Sequence, residues 1–213
     1  MKTHLLALSL VLALASCGEN KTAESTEATD TTAMATEAPE EKAPPLDSAA
    51  KMKAWMDYMM PGDMHKWLAS TDGSWTVETE SWMEEGQPSV KSTGSMENKM
   101  ILGGRYQQQM YKGEMMGQPF EGMGLLGYDN SKKMFVSTWL DNMGTGIMVM
   151  EGKMDDATKT INFSGSMTDA TTGKDCKMRE VVQFPDEKTQ HFEMYATTDG
   201  KEMKVMEMKL TKK

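Results

Sequence analysis

An all-β fold, an antiparallel up-and-down β-barrel of about 9–10 strands with a short N-terminal helix, is what this sequence predicts from three observations. From Gly73 onward the hydrophobic period is mostly two: Trp75 and Val77 alternate with Thr76 and Glu78, and Met206, Met208 and Leu210 with Glu207 and Lys209. Turn signals recur roughly every 12–16 residues, at Asp129-Asn130, Asp155-Asp156, Thr172-Gly173, Pro185-Asp186 and Asp199-Gly200. No helical stretch intervenes between them. A meander of that length tends to curl, and closing it removes the edges that would otherwise template aggregation.

Taken in order, the chain opens with a basic start (Lys2, His4) and an apolar run from Leu5 to Ala15. The run is too short for a bilayer of ~30 Å hydrocarbon. It ends in Leu14-Ala15-Ser16-Cys17, which fits a lipobox at all four positions. Residues 1–16 are therefore expected to be a lipoprotein signal, cleaved before Cys17, whose thiol then carries the lipid. Residues 17–50 are rich in Thr, Ala, Glu and Pro and hold no aromatic residue. They cannot bury enough apolar surface to offset chain entropy, so they read as a disordered acidic tether. Residues 51–213 form the barrel domain. Asp47 or Ser48 can cap a helix near Ala49, whose Met52, Trp55, Met56, Met59 and Met60 recur at helical spacing. Pro61-Gly62 stops it, a short second turn follows at Asp63 to Ala69, and Gly73-Ser74-Trp75 opens the first strand.

Composition excludes several classes of function. The formal net charge is -9 and no Lys/Arg stripe is present, so nucleic acid is not an expected partner. An acidic surface is repelled by anionic head groups, which leaves the lipid on Cys17 to hold the protein at a membrane. Cys176 is then the one remaining thiol, either redox-active or, as its strand setting favours, a small buried hydrophobe. With no CxxC and no Cys/His cluster, no metal site and no cofactor are expected. Met is abundant, at 25 residues. Thioethers bind Cu(I) and scavenge oxidants, but these fall at Leu-like positions, so flexible core filling is the better account.

Gly122-Met123-Gly124-Leu125-Leu126-Gly127 matches GxGxxG, yet it leads into another strand and not a helix, so nucleotide binding is not inferred. Barrel-strand glycines more often permit bends or bulges. His65 and His191 have no second ligand at a helpful spacing, and no nucleophile elbow is legible, so no catalytic residue is assigned. Only two of the 23 basic residues are Arg. Asp141 shares a strand face with Phe135 and Trp139; if that face is interior, it needs a partner, and an Arg is the natural one. The candidate ligand-binding residues are accordingly Arg105, Tyr128, Phe135, Trp139, Asp141 and Arg179, with an Arg holding an anionic group. The competing reading is a structural ion pair, or an Arg stacked on Trp75.

Pro61-Gly62, His65-Lys66-Trp67-Leu68, Gly73-Ser74-Trp75, Gly103-Gly104-Arg105 and the run from Phe120 through Tyr128-Asp129-Asn130 to Gly146 carry a resemblance. Over about residues 57–212 they resemble the bacterial domain-of-unknown-function family 1579, which implies a fold more than an activity. Gly73-Ser74-Trp75 after a short helix is also similar to the calycins, the lipocalin-like barrels. That resemblance implies a Trp closing one barrel end beneath an Arg from a late strand, for which Arg179 is the candidate. The expected function is thus a lipid-anchored envelope protein, at the outer membrane facing the periplasm or surface. It would bind a small, partly apolar, anionic ligand in the barrel lumen. The alternative is a structural or protein-interaction module whose barrel is packed shut by methionines. An enzyme using Asp141, Glu121 or His65 has only the presence of those groups in its favour.

Overall fold

Asp47 caps the first helix, accepting the Ala50 N–H at 2.8 Å, and α1 runs over Ser48–Met59. The computed structural model describes residues 47–170 and 172–213; the signal, Cys17 and the tether up to residue 46 lie outside the described residues. The apolar face expected of α1 is present but exposed: Met52 is 62% and Trp55 57% exposed, and no residue of α1 is buried. Hydrogen bonds tie the helix to the barrel at its C-terminal carbonyls. The Asn130 side-chain amide donates to Asp57, Tyr58 and Met60 oxygens, and Arg105 Nη2 donates to Met59 O at 2.8 Å. A cation and an amide at the last turn satisfy orphan carbonyls and complement the helix dipole.

Pro61-Gly62 ends α1, and the expected second turn is a true helix, α2 (Asp63–Ser70). Its first turn is closed by His65, whose Nδ1 accepts the Gly62 N–H at 3.1 Å. Its last turn is closed by the Thr71 hydroxyl, which donates to Leu68 O at 2.8 Å.

Ten strands follow: β1 (Gly73–Ser81), β2 (Val90–Ile101), β3 (Tyr106–Met115), β4 (Gln118–Asp129), β5 (Met134–Asp141), β6 (Met148–Asp155), β7 (Thr160–Thr168), β8 (Asp175–Asp186), β9 (Thr189–Thr198) and β10 (Lys201–Lys212). Each pairs antiparallel with its sequence neighbour, and β1 pairs with β10, so the sheet is a closed up-and-down barrel. Every expected turn signal lies at a strand junction or end; Asp199-Gly200 takes positive φ at both residues, as a two-residue hairpin of that kind requires. The ladder slips once in β10, between Lys204 and Met206, where a bulge changes the inward phase.

The first strand is pinned by register on both sides: Trp75 faces Lys212 of β10 and Met96 of β2, and Val77 faces Leu210. The core is concentrated at the end of the barrel where β1 begins. There Leu68 of α2 is fully buried among Leu126, Phe135, Ile161, Phe163 and Val182. Trp67 packs edge-on to Phe184 and Phe135, with ring centroids 4.7 and 5.6 Å apart. The helix is therefore a plug. Buried Gln107 holds it in place, its Nε2 donating to Leu68 O, Thr71 Oγ1 and Asp72 Oδ1, while Asp72 Oδ2 accepts the Met100 N–H.

Candidate functional site

Alternation on the barrel wall decides which side chains reach the lumen. Cross-strand partners share a face, so the buried Phe135, Phe163 and Val182 fix the inward phase of β5, β7 and β8. At the plugged end the inward residues are sealed. Toward the other end many are only partly buried, among them Phe120, Trp139, Met148, Met194, Ala196, Met206 and Met208. This half of the lumen, away from α2, is the candidate site.

The expected residues divide between lumen and surface. Phe135 faces inward but is fully buried beneath Trp67, as part of the plug core. Tyr128 packs on Phe135 and edge-on to His65, also at that end. Trp139 and Asp141 lie at the open end, and they meet: indole Nε1 donates to Asp141 Oδ2 at 3.0 Å, and Oδ1 accepts the Met143 N–H. Asp141 has no Arg partner, because it sits at the rim with two neutral donors satisfying its charge.

Neither Arg reaches the lumen. Arg105, in the β2–β3 turn, serves the α1 carbonyls and Leu102 O. Arg179 faces outward, bonded through Nε and Nη2 to both carboxylate oxygens of Glu202 at 2.8 Å and stacked 3.8 Å above the Tyr195 ring. The two groups perturb each other: the guanidinium lowers the Glu202 carboxyl, and Glu202 raises Arg179. The cation near Trp75 is instead Lys212, whose Nζ lies 5.5 Å from the ring, while indole Nε1 donates to Thr71 O. The last strand supplies it because β10 closes on β1 directly opposite Trp75.

The glycines of the GxGxxG string have a packing role. A Cβ on Gly122 would collide with the Trp139 indole, and one on Gly127 would come 2.8 Å from the Tyr106 ring. Bare backbone on β4 lets Trp139 lie flat along the wall on the inner face, and Tyr106 on the outer one. Likewise Tyr111 lies over Gly94 and Gly113.

Glu180, in β8, is the lumenal group the sequence reading passed over. It is 8% exposed, faces inward between Phe163 of β7 and Met194 of β9, and its side chain makes no hydrogen bond or ion pair with any described residue. Burial alone pushes its carboxyl up to about 8. The signal was available: Met178, Glu180 and Val182 share one phase, so Glu180 belongs with apolar residues and Arg179 does not. Thr79 Oγ1, inward on β1, is also buried without a partner among the described residues.

Two further expectations can be placed. Cys176 is inward on β8 and only half-buried; its thiol donates to Thr197 O at 3.4 Å and lies 4.0 Å from Met178 Sδ. Met150, Met178 and Met96 do fill core positions, but Met52, Met56, Met60, Met83 and Met116 are exposed. Among the described residues no group of three or more His, Cys, Asp and Glu side chains is placed to hold a metal. His191 lies on the outer face of β9, opposite Gln183 and Lys209. A concavity of about 640 Å³ spans the wall at β1, β2 and β8–β10. Most of its lining is outward, with Glu80, Lys91, Glu193 and Lys209 among it, as on an ordinary solvated surface.

A family model described as "Protein of unknown function (DUF1579)" matches residues 60–212. No curated protein matches the sequence. Among solved structures, the chain is similar to Rv2717c from M. tuberculosis, with a TM-score of 0.55 and 11% identity. That match covers 72% of this chain and 99% of the other. At such identity the likeness speaks for the fold alone.

Proposed function

We propose that this chain, which belongs to the DUF1579 family, is a binding protein that holds a small, partly apolar ligand in the open half of its barrel lumen. The observation that carries the reading is Glu180: a carboxyl buried at the edge of the plug core, against Phe163 and Met178 and beside Met194, with no partner among the described residues. A buried polar group left unpaired is costly, and such groups persist where a ligand or a chemical role uses them. The wall around it suits an adaptable apolar guest, since thioethers repack easily and Trp139, flat against Gly122, is only partly buried. An anionic guest is not favoured, because both guanidinium groups face away from the lumen.

Native mass spectrometry of the chain purified without denaturation tests this. A bound mass lost on unfolding supports the reading, as does saturable uptake of an apolar dye that Ala196→Trp, filling the lumen, abolishes without unfolding the protein. Dye uptake unchanged by Ala196→Trp would place the dye elsewhere and refute a lumenal site. The lipobox ending at Cys17 supports a lipid anchor and a position at the cell envelope, outer membrane included. Radiolabelled palmitate should enter the chain in a bacterial host and be lost with Cys17→Ser; equal labelling of both would overturn the anchor.

A further inference from the structure

Resting on the lumenal-site reading, we infer that the ligand class is an organic ammonium ion: an amphiphilic amine whose alkyl part lies among the lumenal methionines and whose cation pairs with Glu180. The geometry points this way because, the exposed rim aside, the polarity of the open half of the lumen has one sign. Its inward-facing positions carry the carboxyls of Glu180 and Asp141, and the one cation at these positions among the described residues is Lys201 at the rim, exposed and paired with Glu85. Lys212 and His65 belong to the plugged end, where Lys212 Nζ donates to Ser70 O and His65 accepts from Gly62. Asp141 is already satisfied by Trp139 and Met143. The Glu180 side chain makes no hydrogen bond or ion pair with any described residue.

The remaining wall is what a desolvated ammonium favours. Trp139 lies flat against Gly122 on the inner face and is only partly buried, and aromatic faces attract cations most strongly where water is scarce. An ammonium brought to Glu180 supplies the countercharge that the protein withholds, so the carboxyl ionises on binding and its proton leaves to solvent. The groups that could confound this are few. From β7 Glu180 meets Phe163 and from β9 Met194, neither titratable; on its own strand the inward Cys176 lies one turn of the alternation beyond Met178; elsewhere around the lumen the titratable groups are Asp141 of β5, Tyr111 of β3 and, at the rim, Lys201 of β10, which is held by Glu85. Arg179 points outward to Glu202.

The test is calorimetric titration of the full chain with n-octylamine, n-octanol and octanoate between pH 6 and 9, on the parent and on Glu180→Gln. The amine should bind at least tenfold more tightly than the other two at pH 8. Its affinity should rise about tenfold per pH unit up to pH 8 and then level off, with release of close to one proton at pH 7. Glu180→Gln should retain octanol binding, which shows that the variant is folded, and lose both the amine preference and the pH dependence. Affinity that falls as pH rises, or a preference for octanoate, would overturn the ammonium assignment and make Glu180 a neutral donor to an acceptor ligand. Equal binding of all three by parent and variant would refute the role of Glu180 while leaving the lumenal site standing. Binding of none would sink the lumenal reading itself.

Discussion

Arg179 and Glu180 are neighbours in sequence and face opposite sides of one barrel wall, and their environments reverse their apparent importance. Arg179 looks functional because Arg is rare in this chain, yet its geometry is that of a surface clamp between β8, β9 and β10. Partly exposed pairs of this kind are worth little, so Arg179→Ala should cost less than about 1 kcal/mol in denaturant unfolding and leave lumenal binding unchanged. Glu180 looks ordinary because Glu is common, and its burial gives it the unusual chemistry. Its carboxyl rises from 4.5 to about 8 on folding. The folded state therefore binds the proton more tightly than the unfolded one. The stability this confers is full below about pH 4.5 and is lost as pH rises toward 8. Glu180→Gln should match the parent near pH 4 and exceed it by about 2–4 kcal/mol at pH 8–9, read from unfolding midpoints across pH. A variant less stable than the parent at pH 9 would mean that the carboxyl has a partner.

At the scale of elements, α1 and α2 show what helical periodicity can and cannot reveal. The spacing of Met52, Trp55 and Met56 locates a helix correctly, but an amphipathic stripe does not specify whether the stripe is covered, and here it is exposed. In α2 the case is reversed. The stretch from Asp63 to Ala69, between Pro61-Gly62 and the Gly73-Ser74-Trp75 strand, reads as a short turn, whereas its Trp67 and Leu68 close one barrel end. That role depends on contacts with β5, β7 and β8, which are distant in sequence and leave no local signature. Leu68→Ala should therefore cost about 2–5 kcal/mol, as a fully buried leucine does when its cavity cannot collapse, and near-ultraviolet circular dichroism of Trp67 and Trp75 should weaken. An unfolding midpoint unchanged from the parent would mean that α2 is an accessory, not a plug.

Over the whole molecule, the barrel was legible because each hairpin announces itself locally, by alternation and by turns such as Asp199-Gly200. Free edges on a ten-strand meander are costly, and the β1–β10 ladder removes them by closing the ring. The identity of the interior was less accessible, since alternation gives two faces without saying which is inside. Bulges also change the phase, as at Lys204/Met206. Once Phe135, Phe163 and Val182 set the phase, the inward residues divide into a sealed set under α2 and a set farther from it that is only partly buried, with Glu180 at the boundary and without a partner among the described residues. The most direct measurement is a carbon-detected NMR titration of the Glu180 side-chain carboxyl in the full chain, without and with saturating n-octylamine. The expected result is a midpoint near 8 in the free protein that falls by at least two pH units with the amine. A midpoint near 4.5 in the free protein, or one that the amine leaves in place, would contradict a lumenal site built around that carboxyl.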